Sequence, residues 1–383
     1  MSKYPHLDFS MNDVRRAGER LKENLAFEDR NLEGNAEIRL TFKIANSYRD
    51  SHVYPMRSVR LSIEHRMRTM GAGGLTAARP KRMSSIRRKL RVGTLKLDQM
   101  NDLAGCRAIM DDIQGVRAVL DAVHERFPHK IRREYAYIDQ PKLDGYRSHH
   151  IIFDFCGIGR AAPFDGRRVE LQVRTRLQHA WATAVEAVSL YRGEDLKHGK
   201  GDDDWLRLFQ LSSAEFAYAE GCPVNPAMPD HEARVQELKE LDRRIGASNI
   251  LDDIKNATHY AENFVYERGR YYLIRYMKDH TVVVEPYYSA VSGSRDLGRF
   301  ESEIELGDDE SKVVFVEVDK VDKLVDAYPN YFGDVSLFVR NLRQICHGRN
   351  AVEYSMAPQR VARPRPQEKP DLDALKRRYT RWG

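Results

Sequence analysis

The sequence predicts an α+β fold: a helical N-terminal region, a mixed sheet flanked by helices, and a small C-terminal α+β domain. Three patterns carry that expectation. Apolar residues recur at helical spacing through much of the first 70 residues, residues 169–175 alternate with period two, and 271–287 reads as a hairpin. The 383 residues exceed one ordinary domain, and 42% hydrophobic residues can fill real cores. The balance of charge is +6 at neutral pH, which suits a partner rich in phosphate.

Along the chain, Ser10 is a good N-cap for a basic amphipathic helix over 10–24, and further helices are expected over 34–50 and 56–70. Gly71-Ala72-Gly73-Gly74 then reads as a hinge, without the Gly-Lys-Ser/Thr ending of a phosphate-cradling loop. Arg79–Leu90 is expected to be a helix with Pro80 in its first turn. On it Lys81, Ser85 and Lys89 share one stripe, while Met83, Ile86 and Leu90 face a core. Between Arg79 and Arg91 stand seven basic residues and no acidic one, and the helix N-terminus adds its own positive end. A solvated basic face would share that composition, but not the ordered stripe.

Tyr135–His150 is punctuated by Pro141 and Asp144-Gly145, a loop that presents the Tyr146 ring beside Lys142, Arg147 and His150. Aromatic rings beside cations can hold a nucleobase and its phosphates together. An apolar strand follows over 151–155. On the strand at 169–175, Val169, Leu171 and Val173 face one side and Glu170, Gln172 and Arg174 the other. Residues 176–192 then read as a helix, from which His179 and Glu186 point either into structure or toward a site. More helices are expected over 204–220 and 230–264. Strands at 271–277, 281–287 and 312–318, with helices at 288–304, from Asp319 to Tyr328, and at 334–346, complete the C-terminal third. Four scattered cysteines (Cys106, Cys156, Cys222, Cys346) fit no metal spacing and suggest reduced thiols in a cytoplasm. No signal core or span of roughly 18–20 apolar residues is seen, so no membrane partner is expected.

Taken in order, these segments resemble the synthetase domain of the RelA/SpoT family of alarmone enzymes over about residues 55–200. The signatures are Arg79-x-Lys81-x3-Ser85-Ile86-x2-Lys89, Asp102-Leu103-Ala104-Gly105-Cys106-Arg107, Pro141-Lys142-x-Asp144-Gly145-Tyr146-x-Ser148-x-His150, Glu170-x-Gln172-x-Arg174-Thr175 and His179-x-Trp181-Ala182. The resemblance implies a nucleotidyltransferase-like mixed sheet and Mg²⁺-dependent transfer of pyrophosphate from ATP to the 3′-hydroxyl of GDP or GTP. It implies that Arg79 and Arg107 sandwich adenine, that Lys81, Ser85 and Lys89 hold the ATP phosphates, and that Asp102 and Glu170 hold the metal. It further implies that Glu170 takes the hydroxyl proton. Tyr146 would stack on the acceptor base near Lys142 and His150, with Gln172 and Arg174 in support. The first 70 residues lack the His-Asp pattern of the hydrolase domain in long relatives, so synthesis without degradation is expected.

Asp144 stands where the family usually has asparagine. A carboxylate can only accept from a guanine edge, whereas an amide can also donate. That leaves open a second acceptor, the 3′ end of tRNA, used by toxic small members of the family. A third reading is a catalytically inactive relative that only binds nucleotide or RNA.

The domain reading is a helical N-terminal region at 1–54, the pyrophosphotransferase domain at 55–200, a helical connector at 201–265, a small α+β domain at 266–350, and a Pro/Arg-rich tail at 351–383. Six acids lie within Glu301–Glu310, opposite in charge to the basic helix. From that contrast the C-terminal domain is expected to dock near the site and regulate it, with the aromatic cluster Tyr328–Phe332 entering the adenine slot or packing a core. Whether regulation is intramolecular or the chain self-associates stays open.

Overall fold

The computed structural model describes residues 4–25, 32–257, 259–260, 269–277, 281–306, 311–318, 324, 328 and 334–353. Three helices open the chain: α1 (Met11–Arg20), α2 (Leu32–Asp50) and α3 (Val53–Met70). Ser10 caps α1 as expected: its Oγ accepts the Asp13 N–H at 3.2 Å while Asp13 Oδ2 accepts the Ser10 N–H at 3.1 Å.

The hinge expected next is instead the approach to a strand, β1 (Gly74–Pro80). Pro80 therefore ends a strand and does not open a helix; its missing N–H suits a chain leaving the ladder. The basic helix, α4 (Met83–Val92), begins three residues later. Two of its arginines turn away from any ligand. Arg87 and Arg91 donate to the carbonyls of Leu21, Lys22 and Glu23 at 2.8–3.5 Å, satisfying the exposed end of α1.

Then follow β2 (Ala104–Met110), α5 (Ile113–Glu125), β3 (Lys130–Ala136), β4 (His149–Asp154), β5 (Arg168–Thr175) and α6 (Arg176–Arg192). Three more helices come next: α7 (Asp203–Ala219), α8 (His231–Ile245) and α9 (Ala247–Ala257). The single helix expected over 230–264 is thus two, divided at Gly246, whose φ of 64° is left-handed. The last elements are β6 (His259–Tyr260), β7 (Tyr271–Tyr276), β8 (Thr281–Tyr287), α10 (Ala290–Leu306), β9 (Lys312–Val318) and α11 (Ser336–Cys346). The helix expected from Asp319 and most of the Tyr328–Phe332 cluster fall outside the described residues, as does 354–383. No described helix is long and apolar enough to cross a membrane.

The α+β expectation holds: among the described residues, nine strands form one mixed sheet of order β3-β4-β5-β2-β1-β9-β7-β8-β6. The C-terminal elements do not form the separate domain expected at 266–350. β9 pairs with β1 through Ala77↔Val318 and Ala78↔Glu317, so β7–β9 extend the central sheet. The last helix goes elsewhere: Phe338 of α11 packs 5.6 Å from Phe209 and 5.8 Å from Phe216, in the core formed with α6–α9. Hydrophobic patterning shows that a segment has a face to bury but does not say against what.

One sheet face is closed by α3 and α5, where Met56, Val59, Ile63, Val116 and Val119 meet Ala78, Cys106, Leu171 and Val173. The junction of β1 with β9 has an ionic lock on this side. Glu317, fully buried, pairs with Arg57 and, at 3.3 Å, with Arg60 of α3. Replacing Glu317 by alanine leaves two arginines facing an apolar gap, so urea unfolding should show a loss of about 3–5 kcal/mol.

Glu353 closes the described chain on Glu220, which itself accepts from Thr175 Oγ1 and from Gln178 Nε2 at 2.9 Å. Burial holds Glu220 above the ordinary value of 4.5, and burial together with the facing Glu220 carboxylate raises Glu353 to about 9. A raised carboxyl contributes its stability fully below the unfolded value and loses it as pH climbs through the folded one. The thermal midpoint should therefore decline as pH rises above about 5, and Glu353→Gln should flatten that slope.

Candidate active site

Strand register sets the site. Paired residues share a face, so Arg79↔Gly105↔Glu170 and Ala77↔Arg107↔Gln172↔His150 all project opposite the α3/α5 core. Arg174, two residues beyond Gln172, joins them. Because β2 and β5 run parallel, Asp102, just before β2, lies at the same end of the sheet as Glu170.

Asp102 is the charge centre. Lys81 Nζ and Lys89 Nζ both reach its Oδ2 at 2.9 Å. Burial alone would push its carboxyl up, but the two ammonium groups outweigh it and hold it below the usual range. Burial in turn lowers Lys81, with Asp102 opposing. The other oxygen, Asp102 Oδ1, is buried without a hydrogen-bond partner. Ser85, half-buried, lies on α4 between the two lysines. Lys81 itself precedes the helix, its N–H donated to Leu103 O at 2.9 Å, which ties it to the Asp102 loop.

A second chain of bonds runs through Glu170. The Tyr146 hydroxyl lies 2.8 Å from His150 Nε2, His150 Nδ1 lies 3.0 Å from Glu170 Oε1, and Gln172 Nε2 donates to Glu170 Oε2 at 2.9 Å. Glu170 is buried, which raises its carboxyl, yet the His150 contact brings it below its usual value. Above these, Lys142 Nζ sits 5.5 Å from the Tyr146 ring centre and 4.0 Å from that of Tyr137. Tyr137 lies in the loop segment singled out by sequence but was not expected to line the site. Its ring is 5.4 Å from His150, and its sequence signal was its place beside Lys142 and Tyr146. Asp144 accepts the Tyr146 N–H at 2.8 Å, a local turn bond that commits one of its two oxygens.

The third group is a set of guanidiniums. Arg174 is buried, and its ordinary value near 12.5 drops to about 9, through burial first and then the charges of Arg107 and Arg79. Its Nη2 donates to His179 Nδ1 at 2.5 Å, while its Nε is buried without a partner. Burial would raise the Glu186 carboxyl, but Lys197, bonded at 2.8 Å, and then the charges of nearby Arg79 and Arg107 lower it. Of the two α6 residues left open by sequence, His179 thus supports Arg174, and Glu186 is the acidic neighbour of the arginines. Tyr328, buried, lies with its ring centre 5.7 Å from the Arg107 guanidinium.

Set beside known proteins, residues 78–195 match the family described as "Region found in RelA / SpoT proteins". Among relatives, the GTP pyrophosphokinase of Escherichia coli K12 is 26% identical over 201 residues, which is 51% of this chain and 22% of that protein. A probable chloroplastic GTP diphosphokinase of Oryza sativa subsp. japonica is 29% identical over 164 residues, 42% of this chain and 21% of that one. The match thus spans about a fifth of the length of these relatives. Among solved structures, small alarmone synthetase 1 of Bacillus subtilis bound to its product pppGpp aligns with TM-score 0.40 at 17% identity, covering 45% of this chain and 90% of that one. A GTP pyrophosphokinase family protein of Streptococcus pneumoniae aligns with TM-score 0.38 at 20% identity, covering 54% and 93%.

Gly145 has φ 87°, and a Cβ there would come within 3.0 Å of the Trp181 ring and 3.1 Å of Ser213. Gly145→Ala should cost about 1–2 kcal/mol in thermal unfolding from the left-handed backbone alone, and should displace Tyr146, read as weaker protection of its ring by bound nucleotide.

Proposed function

We propose that the chain transfers the β,γ-pyrophosphate of ATP to the 3′-hydroxyl of GDP or GTP. The observation that carries this is the convergence of Arg79, Arg107 and the buried Arg174 on the sheet face that also holds the Lys81–Asp102–Lys89 cluster, with Arg174 lowered by burial first and then by its two arginine neighbours. Such an arrangement gains most from a bound polyphosphate, whose charge replaces the mutual repulsion.

In this reading Arg79 and Arg107 flank the adenine, while Lys81, Lys89 and Ser85 hold the phosphates. The acceptor base lies on Tyr146, and Lys142 and His150 meet its phosphates. The acceptor 3′-oxygen attacks the β-phosphorus, the bond from that phosphorus to the α,β-bridging oxygen breaks, and AMP leaves with the electron pair. Glu170, ionised and held by His150 and Gln172, receives the hydroxyl proton. Most of the acceleration comes from alignment and charge neutralisation, since phosphoryl groups need little covalent help.

Asp102 and Glu170 fit Mg²⁺. Both offer hard oxygen donors, Asp102 Oδ1 is buried without a partner, and a hexacoordinate ion would complete its shell with phosphate oxygens and water. Bound there, the ion would neutralise charge on the transferred group.

A second reading keeps the transfer and takes the 3′ end of tRNA as acceptor. Asp144 favours it, because one of its oxygens is committed to the turn and leaves less to read N1–H and N2–H₂ of guanine. A terminal adenosine asks mainly for stacking. The Tyr328–Arg107 contact favours regulation in the same chain, an aromatic ring resting where adenine would lie.

With ATP labelled on its γ-phosphate and Mg²⁺, label should appear on GDP or GTP; label on tRNA alone would select the second reading. Glu170→Gln should lower either transfer by about 10²–10⁴-fold. Tyr328→Ala should raise the rate at subsaturating ATP with the maximal rate little changed; an unchanged KM for ATP would remove Tyr328 from the adenine slot.

A further inference from the structure

The first turn of α4 is where an anion would be expected: a helix N-terminus, preceded by Lys81 and rich in arginine. In the structure a protein carboxylate is already there. Glu301 of α10 accepts the N–H of Met83, the first residue of α4, through Oε1 at 2.7 Å. Its Oε2 pairs with Arg49 of α2, a fully buried guanidinium. Arg49 also reaches Lys81 O at 3.4 Å and Asp50 Oδ1 at 3.2 Å. Met83 is fully buried and its N–H is taken by Glu301, so that N–H is closed to a nucleotide phosphate.

From this geometry we propose that Glu301 and Arg49 are positioning residues of the donor site, and that the C-terminal segment is part of its framework. This rests on the reading of Lys81 and Lys89 as ligands of the ATP phosphates. Lys81 is pinned on one side by its N–H to Leu103 O, and on the other by Arg49 at its carbonyl. Glu301 fixes Arg49 and the start of α4 together. Because α4 is a rigid rod, its start sets where Lys89 emerges two turns later. Both ammonium groups then meet Asp102 Oδ2 at 2.9 Å. The pair that aligns them lies outside residues 78–195, one member on either side of the matched region.

The buried pair also adds stability, so the test needs a readout that stability does not move. In the full chain, the affinity for a non-hydrolysable ATP analogue is measured at low temperature, where each variant is shown folded by circular dichroism. Glu301→Ala should weaken that affinity about tenfold or more, the loss expected when a charge-assisted bond disappears. The KM for the acceptor should stay as in the parent. Glu301→Gln keeps an oxygen for the Met83 N–H and should recover part of the affinity, and it also serves should the alanine variant not fold. Unchanged analogue affinity in Glu301→Gln and any folded Glu301→Ala would overturn the proposal. So would faster transfer, which would make Glu301 a latch that restrains the site. A parent protein that binds the analogue but transfers nothing would defeat the proposed reaction while the affinity comparison still decides the role of Glu301.

Discussion

The site is organised around a single carboxylate. Asp102 takes two ammonium groups on one oxygen, and without it Lys81 and Lys89 would repel each other in a half-buried groove. Two unit charges a few ångströms apart at an effective dielectric near 20 repel by about 4 kcal/mol, comparable with a large part of a domain's whole stability. The carboxylate turns that repulsion into a paired cluster with one positive charge to spare. Its second oxygen stays unengaged. The same residue thus assembles the two lysines and keeps an oxygen in reserve, and elements from α2 to α10 are arranged around it.

The sheet explains how residues so distant in sequence can serve one centre. β9 enters between β1 and β7, so the strand ending at Arg79 and Pro80 is supported from both sides. Glu317 below the sheet and Glu301 at the start of α4 each answer an arginine from the N-terminal helices. Two buried carboxylates from the C-terminal third therefore join regions that a boundary near residue 265 would have separated. The segment that places Tyr328 on Arg107 is continuous with the one that supports the lysines. Removing it whole would mix two effects that single substitutions keep apart.

What sequence could show depended on the range of the interaction. The alternation of residues 169–175 and the periodicity of 176–192 are local, and the structure has β5 and α6 there. Strand β1 was hidden: glycines open it, Pro80 ends it, and its middle is small residues with no strong alternation. The expected helix over 230–264 ran through Gly246, whose left-handed backbone ends α8. Among the expected site residues, Lys81, Lys89 and Asp102 do converge, as do Tyr146, His150, Glu170 and Gln172. Glu301 was noticed only as one acid in a run. Its contacts with Arg49 and Met83 span more than two hundred residues, and no periodicity encodes such a meeting.

The loop that carries Tyr146 has its own anchor. Ser213 of α7 donates its hydroxyl to the Gly145 carbonyl and accepts from Arg147 Nε at 3.2 Å, gripping the loop on either side of the tyrosine. A helix outside the matched region thus holds the loop by one side chain. On the proposed reading, in which Tyr146 takes the acceptor base, acceptor preference is inherited by loop and helix as a pair. A loop transplanted from a relative would arrive without its clasp, and divergence toward a new acceptor would have to proceed through compatible changes at both places.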